Sequence, residues 1–112
     1  MSFIRGARGA LFIDIDGTIV NHGTDDPVPF AVEKINGAYD KGYTIILTTL
    51  RGDGWADQTH LTCMATLRLL KDIGLKYHHI IWNCQSPRIV INDEGAIAIN
   101  HPANGSWENY EF

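Results

Sequence analysis

The chain has 112 residues, a formal net charge of −4 at pH 7 and an apolar fraction of 45%. This apolar fraction excludes a disordered chain, and the acidic balance argues against a nucleic-acid-binding surface, which would normally be basic. No apolar stretch is long enough to span a bilayer, and the first residues lack the apolar segment of a secretory signal. We therefore expect a single cytoplasmic domain over residues 1–112 that makes no membrane contact.

The first predicted element is a strand over residues 10–13, a continuous apolar run that leads directly into Asp14-Ile15-Asp16-Gly17-Thr18. Strand residues two apart share a face, so Asp14 and Asp16 can both point into one crevice at the carboxyl end of the strand. Neighbouring carboxylates repel each other, and Mg²⁺ relieves this by accepting hard oxygen ligands. The pattern predicts a metal-assisted phosphoryl site, and an ordinary acidic glycine turn is the alternative.

A polar, turn-rich stretch comes next, and we assign residues 18–28 to a flap-like loop. Asp26 followed by Pro27 resembles a helix N-cap with proline at the first helical position. This pattern predicts a helix from Pro27 to about Lys41 that ends at Gly42, because glycine is favoured just beyond a helix C-terminus.

The remaining elements continue the alternation of strands and helices. A second strand is predicted over residues 43–47, and a second helix over residues 57–73 that ends at Gly74. Three further strands are predicted over residues 77–82, 88–91 and 96–99, before an irregular C-terminal tail over residues 101–112. Strands separated by helical crossovers indicate an α/β fold with a mostly parallel sheet and helices on both faces.

The segment Asp14-Ile15-Asp16-Gly17-Thr18 after an apolar strand resembles the signature of the haloacid dehalogenase-like (HAD) hydrolase superfamily. The resemblance covers essentially the whole chain and implies a three-layer Rossmann-like core, and the short connections imply that no cap domain is present. Members are mostly Mg²⁺-dependent phosphatases that work through an aspartyl-phosphate. The resemblance therefore implies that Asp14 is the nucleophile and a metal ligand. Asp16 would act first as general acid and then as general base, and its backbone carbonyl would bind the metal. Thr18 would support the turn.

The end of the second strand resembles the second motif of this superfamily, in which a Ser or Thr hydrogen-bonds the transferring phosphoryl group. Thr49-Leu50-Arg51 has the Thr-x-Arg form, which favours Thr49, while Thr48 directly follows the apolar run and stays open. The alternative is that two β-branched residues simply serve strand propensity.

The run Ile89-Val90-Ile91-Asn92-Asp93-Glu94 resembles the fourth motif, a hydrophobic strand that ends in acids. Asp93 falls on the position that usually ligates the metal, and Asn92 can offer a neutral oxygen as support. Loss of one negative charge at Asn92 should weaken Mg²⁺ binding without abolishing it. An Asn-Asp turn is the alternative.

The third motif departs from the superfamily, because the position of its lysine falls near Cys84. That lysine normally offsets charge between nucleophile and phosphate, and a thiol cannot do so. Arg88 or Arg51 would have to supply the positive charge, since a guanidinium also binds phosphate oxygens. His22 in the flap and His101 after the last strand are weaker candidates for the substrate entrance.

Two functions follow from the resemblance. The first is a Mg²⁺-dependent phosphatase acting on a phosphorylated small molecule, with a sugar phosphate slightly favoured. Its capless site either admits larger substrates or is closed by a neighbouring subunit of a dimer or tetramer. The second is a weak or inactive phospho-ligand-binding or regulatory protein that has lost turnover with the lysine. A response-regulator receiver domain fits less well, because its acceptor aspartate ends a later strand and no lysine follows Trp82 or Ile91 here.

Overall fold

Three short parallel strands form the sheet of this α/β protein. The computed structural model describes residues 9–55 and 57–112, so residues 1–8 and residue 56 of the predicted domain lie outside the described residues. The strands are β1 (Ala10–Asp14), β2 (Thr44–Thr48) and β3 (His79–Ile81), in the order β1-β2-β3. The alternation of strands and helices and the parallel pairing confirm the predicted α/β class.

The first helix, α1 (Ala31–Asp40), joins β1 to β2. Its prediction is wrong at the start, because the helix begins four residues after Pro27. The flap forms isolated bridges instead, one of which pairs Val20 with Pro27, and Phe30 adopts a left-handed conformation just before the helix. The predicted end is confirmed, since Gly42 follows the helix with a φ of 100°.

The second helix, α2 (Cys63–Asp72), is also shorter at its start than the predicted range 57–73. Two short 3₁₀ turns, Asp53–Trp55 and Thr59–Leu61, precede it. The hydroxyl of Thr62 caps the helix by accepting a hydrogen bond from the N–H of Ala65 at 3.3 Å, which fixes where the helix begins.

One hydrophobic core joins the strands, both helices and the C-terminal tail. Ile13 from β1 and Ile45 and Leu47 from β2 are buried in it. Trp107 from the tail is 4% exposed, so the irregular end of the chain packs against its own core. The other buried apolar residues are Ile15, Ile19, Val20, Val28, Ala31, Ile35, Ala38, Tyr43, Leu69, Leu70 and Leu75.

The predicted strands over residues 88–91 and 96–99 are wrong for this structure. Both segments are irregular, and in the described part of the chain neither pairs with a strand. Ile89, Val90 and Ile91 are 81%, 73% and 94% exposed. Apolar β-branched residues favour a strand, but they form one only where a neighbouring strand supplies backbone partners.

Candidate active site

The two strand ends that carry the predicted motifs lie side by side. The register of the β1–β2 ladder pairs Asp14 with Thr48, the last residue of each strand. The side chain of Asp14 is 35% exposed and Thr48 is buried. The structure therefore brings together the predicted nucleophile and one of the two predicted phosphate-binding threonines at the carboxyl edge of the sheet, where parallel sheets bind ligands.

Arg88 supplies a positive charge to Asp14. Its Nη1 donates to Oδ1 of Asp14 at 3.0 Å, and its Nη2 donates to the carbonyl oxygen of Cys84 at 2.9 Å. Burial lowers the pKa of Arg88, but the hydrogen bond and charge of Asp14, with a further contribution from Cys84, outweigh this effect and raise the pKa above its ordinary value. Arg88 therefore stays charged beside the predicted nucleophile, while the thiol of Cys84 contributes no cation.

Arg51 and Asp16 form a bidentate salt bridge. Its Nε donates to Oδ2 of Asp16 at 2.9 Å and its Nη2 donates to Oδ1 at 2.8 Å. Nη1 donates to the hydroxyl of Thr66 at 3.3 Å and to the carbonyl of His60 at 3.4 Å. The arginine is 3% exposed. Its guanidinium is thus occupied by protein groups and holds Asp16, rather than standing open to a phosphate.

Thr49 is buried more completely than Thr48, with exposed fractions of 0% and 8%. Its hydroxyl accepts a hydrogen bond from the N–H of Arg51 at 3.0 Å. Its own N–H donates to the carbonyl of Ile81, and its carbonyl accepts from the N–H of Cys84. Because Thr49 is fully buried, it fixes the loop after β2, and Thr48 is the threonine that the ladder places beside Asp14.

The turn after Asp16 requires glycine. Gly17 has a φ of 81°, and a Cβ at this position would lie 2.2 Å from Nε2 of His22. The N–H groups of Thr18, Ile19 and Val20 donate to the carbonyl of Ile15. Glycine reaches this conformation without steric cost, so the residue both forms the turn and leaves space for the imidazole.

The C-terminal tail completes this turn, and sequence reasoning missed its contribution. The indole N–H of Trp107 donates to the carbonyl of Thr18 at 2.7 Å, and the N–H of Asn104 donates to the carbonyl of Gly17 at 2.8 Å. The side-chain oxygen of Asn104 accepts from the N–H of His22 at 2.8 Å. The local sequence around Asn104 carries no signal beyond ordinary turn residues, because the contact spans more than 80 positions.

His101 stabilises the tail rather than lining the cleft. Its Nδ1 lies 2.6 Å from the hydroxyl of Tyr110, and its Nε2 lies 2.6 Å from the carbonyl of Gly105. A carbonyl can only accept, so Nε2 carries a proton and Nδ1 is free to accept from the tyrosine when the ring is neutral. Burial raises the pKa of Tyr110, which keeps its hydroxyl protonated.

The predicted metal ligands are only partly assembled. Asp93 and Asn92 are exposed in the irregular segment, and the side-chain amide of Asn92 donates to the nearby carbonyl of Glu94 at 2.8 Å. Within residues 9–55 and 57–112, no group of three or more His, Cys, Asp or Glu side chains is arranged to hold a metal ion. Asp14 ends β1, Asp16 lies two residues later before the turn, and Asp93 is not gathered with them.

An open cleft of about 590 Å³ lies beside Asp16. The flap forms one side with His22 and Asp25, and the loop after β2 forms the other with Leu50, His60 and Leu61. The Arg51–Asp16 pair also lines the cleft, so a ligand there would lie next to the acid motif.

Comparisons of the chain with models of known families, with curated proteins and with solved structures gave no match. Neither described helix has the length and apolar character needed to cross a bilayer. The functional assignment therefore depends on the geometry of the site and on the sequence resemblance.

Proposed function

We propose that this protein is a Mg²⁺-dependent phosphomonoester hydrolase with a capless, three-layer HAD-type core, and that it forms an aspartyl-phosphate on Asp14. The observation that supports this proposal best is the contact between Arg88 and Asp14 beside Thr48 at the carboxyl edge of the sheet. A carboxylate nucleophile next to a fixed cation and a hydroxyl is the arrangement that phosphoryl transfer needs.

Arg88 takes the charge-balancing role that the sequence near Cys84 lacks. Its side chain is 30% exposed and contacts one oxygen of Asp14, so we assign its remaining donors to an incoming phosphoryl group. A planar guanidinium can bind carboxylate and phosphate oxygens together. It would hold the two anions close while negative charge develops on the transferring group.

The chemistry assigned to the chain's own residues has two steps. An oxygen of Asp14 attacks phosphorus, the bond to the ester oxygen breaks, and the departing alkoxide receives a proton. Water then attacks the acyl-phosphate and releases phosphate, which restores the Asp14 carboxylate. We assign to the hydroxyl of Thr48, the residue paired with Asp14 in the β1–β2 ladder, a hydrogen bond to a phosphoryl oxygen in both steps.

Asp16 is the residue proposed to move the proton, and its pairing with Arg51 sets a condition on that role. Both carboxylate oxygens accept from the guanidinium. A protonated carboxyl group has no negative charge to pair with the arginine, so one of these hydrogen bonds must open when Asp16 takes up a proton. Both the base step and the acid step therefore require the Arg51–Asp16 pair to open in part.

The oxygen donors of this site suit Mg²⁺ in kind. Asp14, the carbonyl of Asp16 and Asp93 are the proposed ligands, and the ion would neutralise phosphoryl charge when bound. Asp93 can join the other two only after the exposed segment that carries it has moved, since the described residues do not gather the three.

A second function has its own supporting observation. Both acids of the motif are paired with arginines, which leaves neither carboxylate free of a cation. A protein that binds phosphorylated ligands without turning them over would tolerate this, because Arg88 could exchange Asp14 for a phosphate. We therefore retain a phospho-ligand-binding or regulatory protein as the alternative.

The two functions are separated by hydrolysis of 4-nitrophenyl phosphate in the presence of Mg²⁺. For a hydrolase we expect the wild type to release nitrophenol and Asp14→Asn to release none. The matched control is Asp72→Asn, because the carboxylate of Asp72 is exposed at the end of α2, and it should keep full activity. Magnesium removal should abolish the wild-type signal.

The binding function makes the opposite prediction. Neither the wild type nor Asp14→Asn would release nitrophenol, while calorimetric titration with a phosphate ester would show binding that Arg88→Met weakens. Hydrolysis that survives unchanged in Asp14→Asn would refute the proposed nucleophile.

A further inference from the structure

One residue of the C-terminal tail is bonded both to the turn of the acid motif and to the flap. The backbone N–H of Asn104 donates to the carbonyl of Gly17 at 2.8 Å. The side-chain oxygen of Asn104 accepts from the N–H of His22, also at 2.8 Å. Because both bonds belong to one residue, the spacing between the turn and the flap depends on the position of Asn104.

The local structure of the tail allows Asn104 to make both bonds at once. The residue lies in a tight turn, in which the N–H of Gly105 donates to the carbonyl of Pro102 at 2.8 Å. Asn104 has a φ of 61°, and asparagine adopts such a positive φ at lower cost than most residues other than glycine. The buried indole of Trp107 anchors the same stretch by donating to the carbonyl of Thr18 at 2.7 Å.

The proton transfer assigned to Asp16 depends on a fixed turn. Both carboxylate oxygens of Asp16 accept from Arg51, so the side chain has to move when it exchanges a proton. The moving side chain reaches the ester oxygen reproducibly only if the backbone beside it stays in place. Proton transfer needs heavy atoms within about 2.6–3.2 Å of each other, so a small displacement of the turn lowers the rate.

We propose that Asn104 is a positioning residue for the proton transfer by Asp16. It acts through the backbone of Gly17 and of the flap, and not by contact with the reacting atoms. The inference rests on the proposed hydrolase and adds a residue that is distant in sequence to its site. Because Asn104 is exposed, replacing it removes hydrogen bonds without opening a cavity in the core.

Three variants of the full chain separate the two bonds of Asn104. Aspartate keeps a side-chain acceptor and tolerates a positive φ, so Asn104→Asp retains both bonds. Glycine adopts the same φ but has no side chain, so Asn104→Gly retains only the bond to Gly17. Valine lacks the acceptor and its branched side chain disfavours a positive φ, so Asn104→Val weakens both bonds.

The readout is how kcat/KM depends on the leaving group, with Mg²⁺ present and with phenyl phosphate and 4-nitrophenyl phosphate as substrates. Phenol is a weaker acid than 4-nitrophenol, so its departing oxygen depends more on a proton from Asp16. A positioned acid contributes on the order of a hundredfold, so in Asn104→Val we expect kcat/KM to fall about tenfold more for phenyl phosphate than for 4-nitrophenyl phosphate. Asn104→Gly should be intermediate, and Asn104→Asp should match the wild type.

Asn36→Ala is the matched control, because the side chain of Asn36 on α1 also links two backbone groups. It donates to the carbonyl of Gly74 at 2.9 Å and accepts from the N–H of Lys76 at 2.8 Å. Both partners precede β3, at the opposite edge of the sheet from the acid motif. A loss of stability alone reduces the hydrolysis of both esters by the same factor, and this is the result expected of Asn36→Ala.

The outcomes distinguish this inference from the hydrolase proposal. If the wild type hydrolyses both esters and Asn104→Val lowers both rates equally, the positioning role fails and the hydrolase stands. A loss in Asn104→Asp as selective as that in Asn104→Val would also overturn the role, because the aspartate keeps both bonds. If the wild type hydrolyses neither ester, the hydrolase itself fails, and the role of Asn104 in proton transfer fails with it.

Discussion

The Arg51–Asp16 and Arg88–Asp14 pairs join the same two kinds of side chain at neighbouring positions, yet they differ in enclosure. In the first pair the side chains are 4% and 28% exposed, and two hydrogen bonds connect them. In the second they are 30% and 35% exposed and share one hydrogen bond. The comparison teaches that the first pair belongs to the buried framework, whereas both side chains of the second are partly open to solvent.

The largest expected effect is on stability and comes from breaking the enclosed pair. Arg51→Met should lower the free energy of unfolding by about 3 kcal/mol, because it leaves the Asp16 carboxylate without its partner in a largely buried position. Urea denaturation measures this change. A loss below about 1 kcal/mol would show that the pair behaves like an exposed one.

A smaller effect is expected from the hydroxyl that supports the same guanidinium. Thr66 is fully buried and its oxygen accepts from Nη1 of Arg51. Thr66→Val keeps the shape but removes the acceptor, so we expect a loss of about 1 kcal/mol in urea denaturation. In a chain that already carries Arg51→Met, Thr66→Val should lower the free energy of unfolding much less. An equal loss with and without Arg51→Met would contradict an energetic coupling between Thr66 and Arg51.

The Arg88–Asp14 pair, whose side chains are about one-third exposed, should contribute little to stability. Arg88→Met is expected to lower the free energy of unfolding by less than about 1 kcal/mol, since water solvates much of both partners. It should nevertheless weaken binding of inorganic phosphate, measured by calorimetry. A large loss of stability with unchanged phosphate binding would reverse the roles assigned to the two pairs.

The smallest effect is expected at a fully surface-located pair that serves as a reference. Nζ of Lys76 lies 2.8 Å from Oδ1 of Asp40, and both side chains are about half exposed or more. Lys76→Met should change the free energy of unfolding by less than about 0.5 kcal/mol and leave phosphate binding unaffected. A larger change would mean that the burial of these salt bridges does not determine the order of their contributions to stability.

Part of the site could be predicted because strand geometry is periodic. The apolar runs fixed where β1 and β2 end, and parallel pairing then placed Asp14 beside Thr48. The sequence also indicated that Arg88 or Arg51 must provide a cation, but it could not distinguish them. That choice depends on the loop after β2, which buries Arg51, and on the segment after β3, which brings Arg88 to Asp14 near the surface.

The segments over residues 88–91 and 96–99 show the limit of local patterns. Their composition favours strands, and they stay irregular because nothing in a run of Ile and Val specifies which strand edge it will pair with. β1 pairs with β2 alone among the described strands, and Phe12 on it is 64% exposed. Hydrophobicity thus predicted where strands could form, whereas pairing depends on contacts distant in sequence.

The hydrogen bonds from Asn104 and Trp107 to the Gly17–Thr18 turn have a consequence for biosynthesis. The acid motif leaves the ribosome before the tail does, and its turn gains these bonds only after some 90 further residues have been made. Closing so long a loop costs entropy that local turn formation does not. We expect the motif to mature late in folding, after the segment that carries Asn104 and Trp107 has been made.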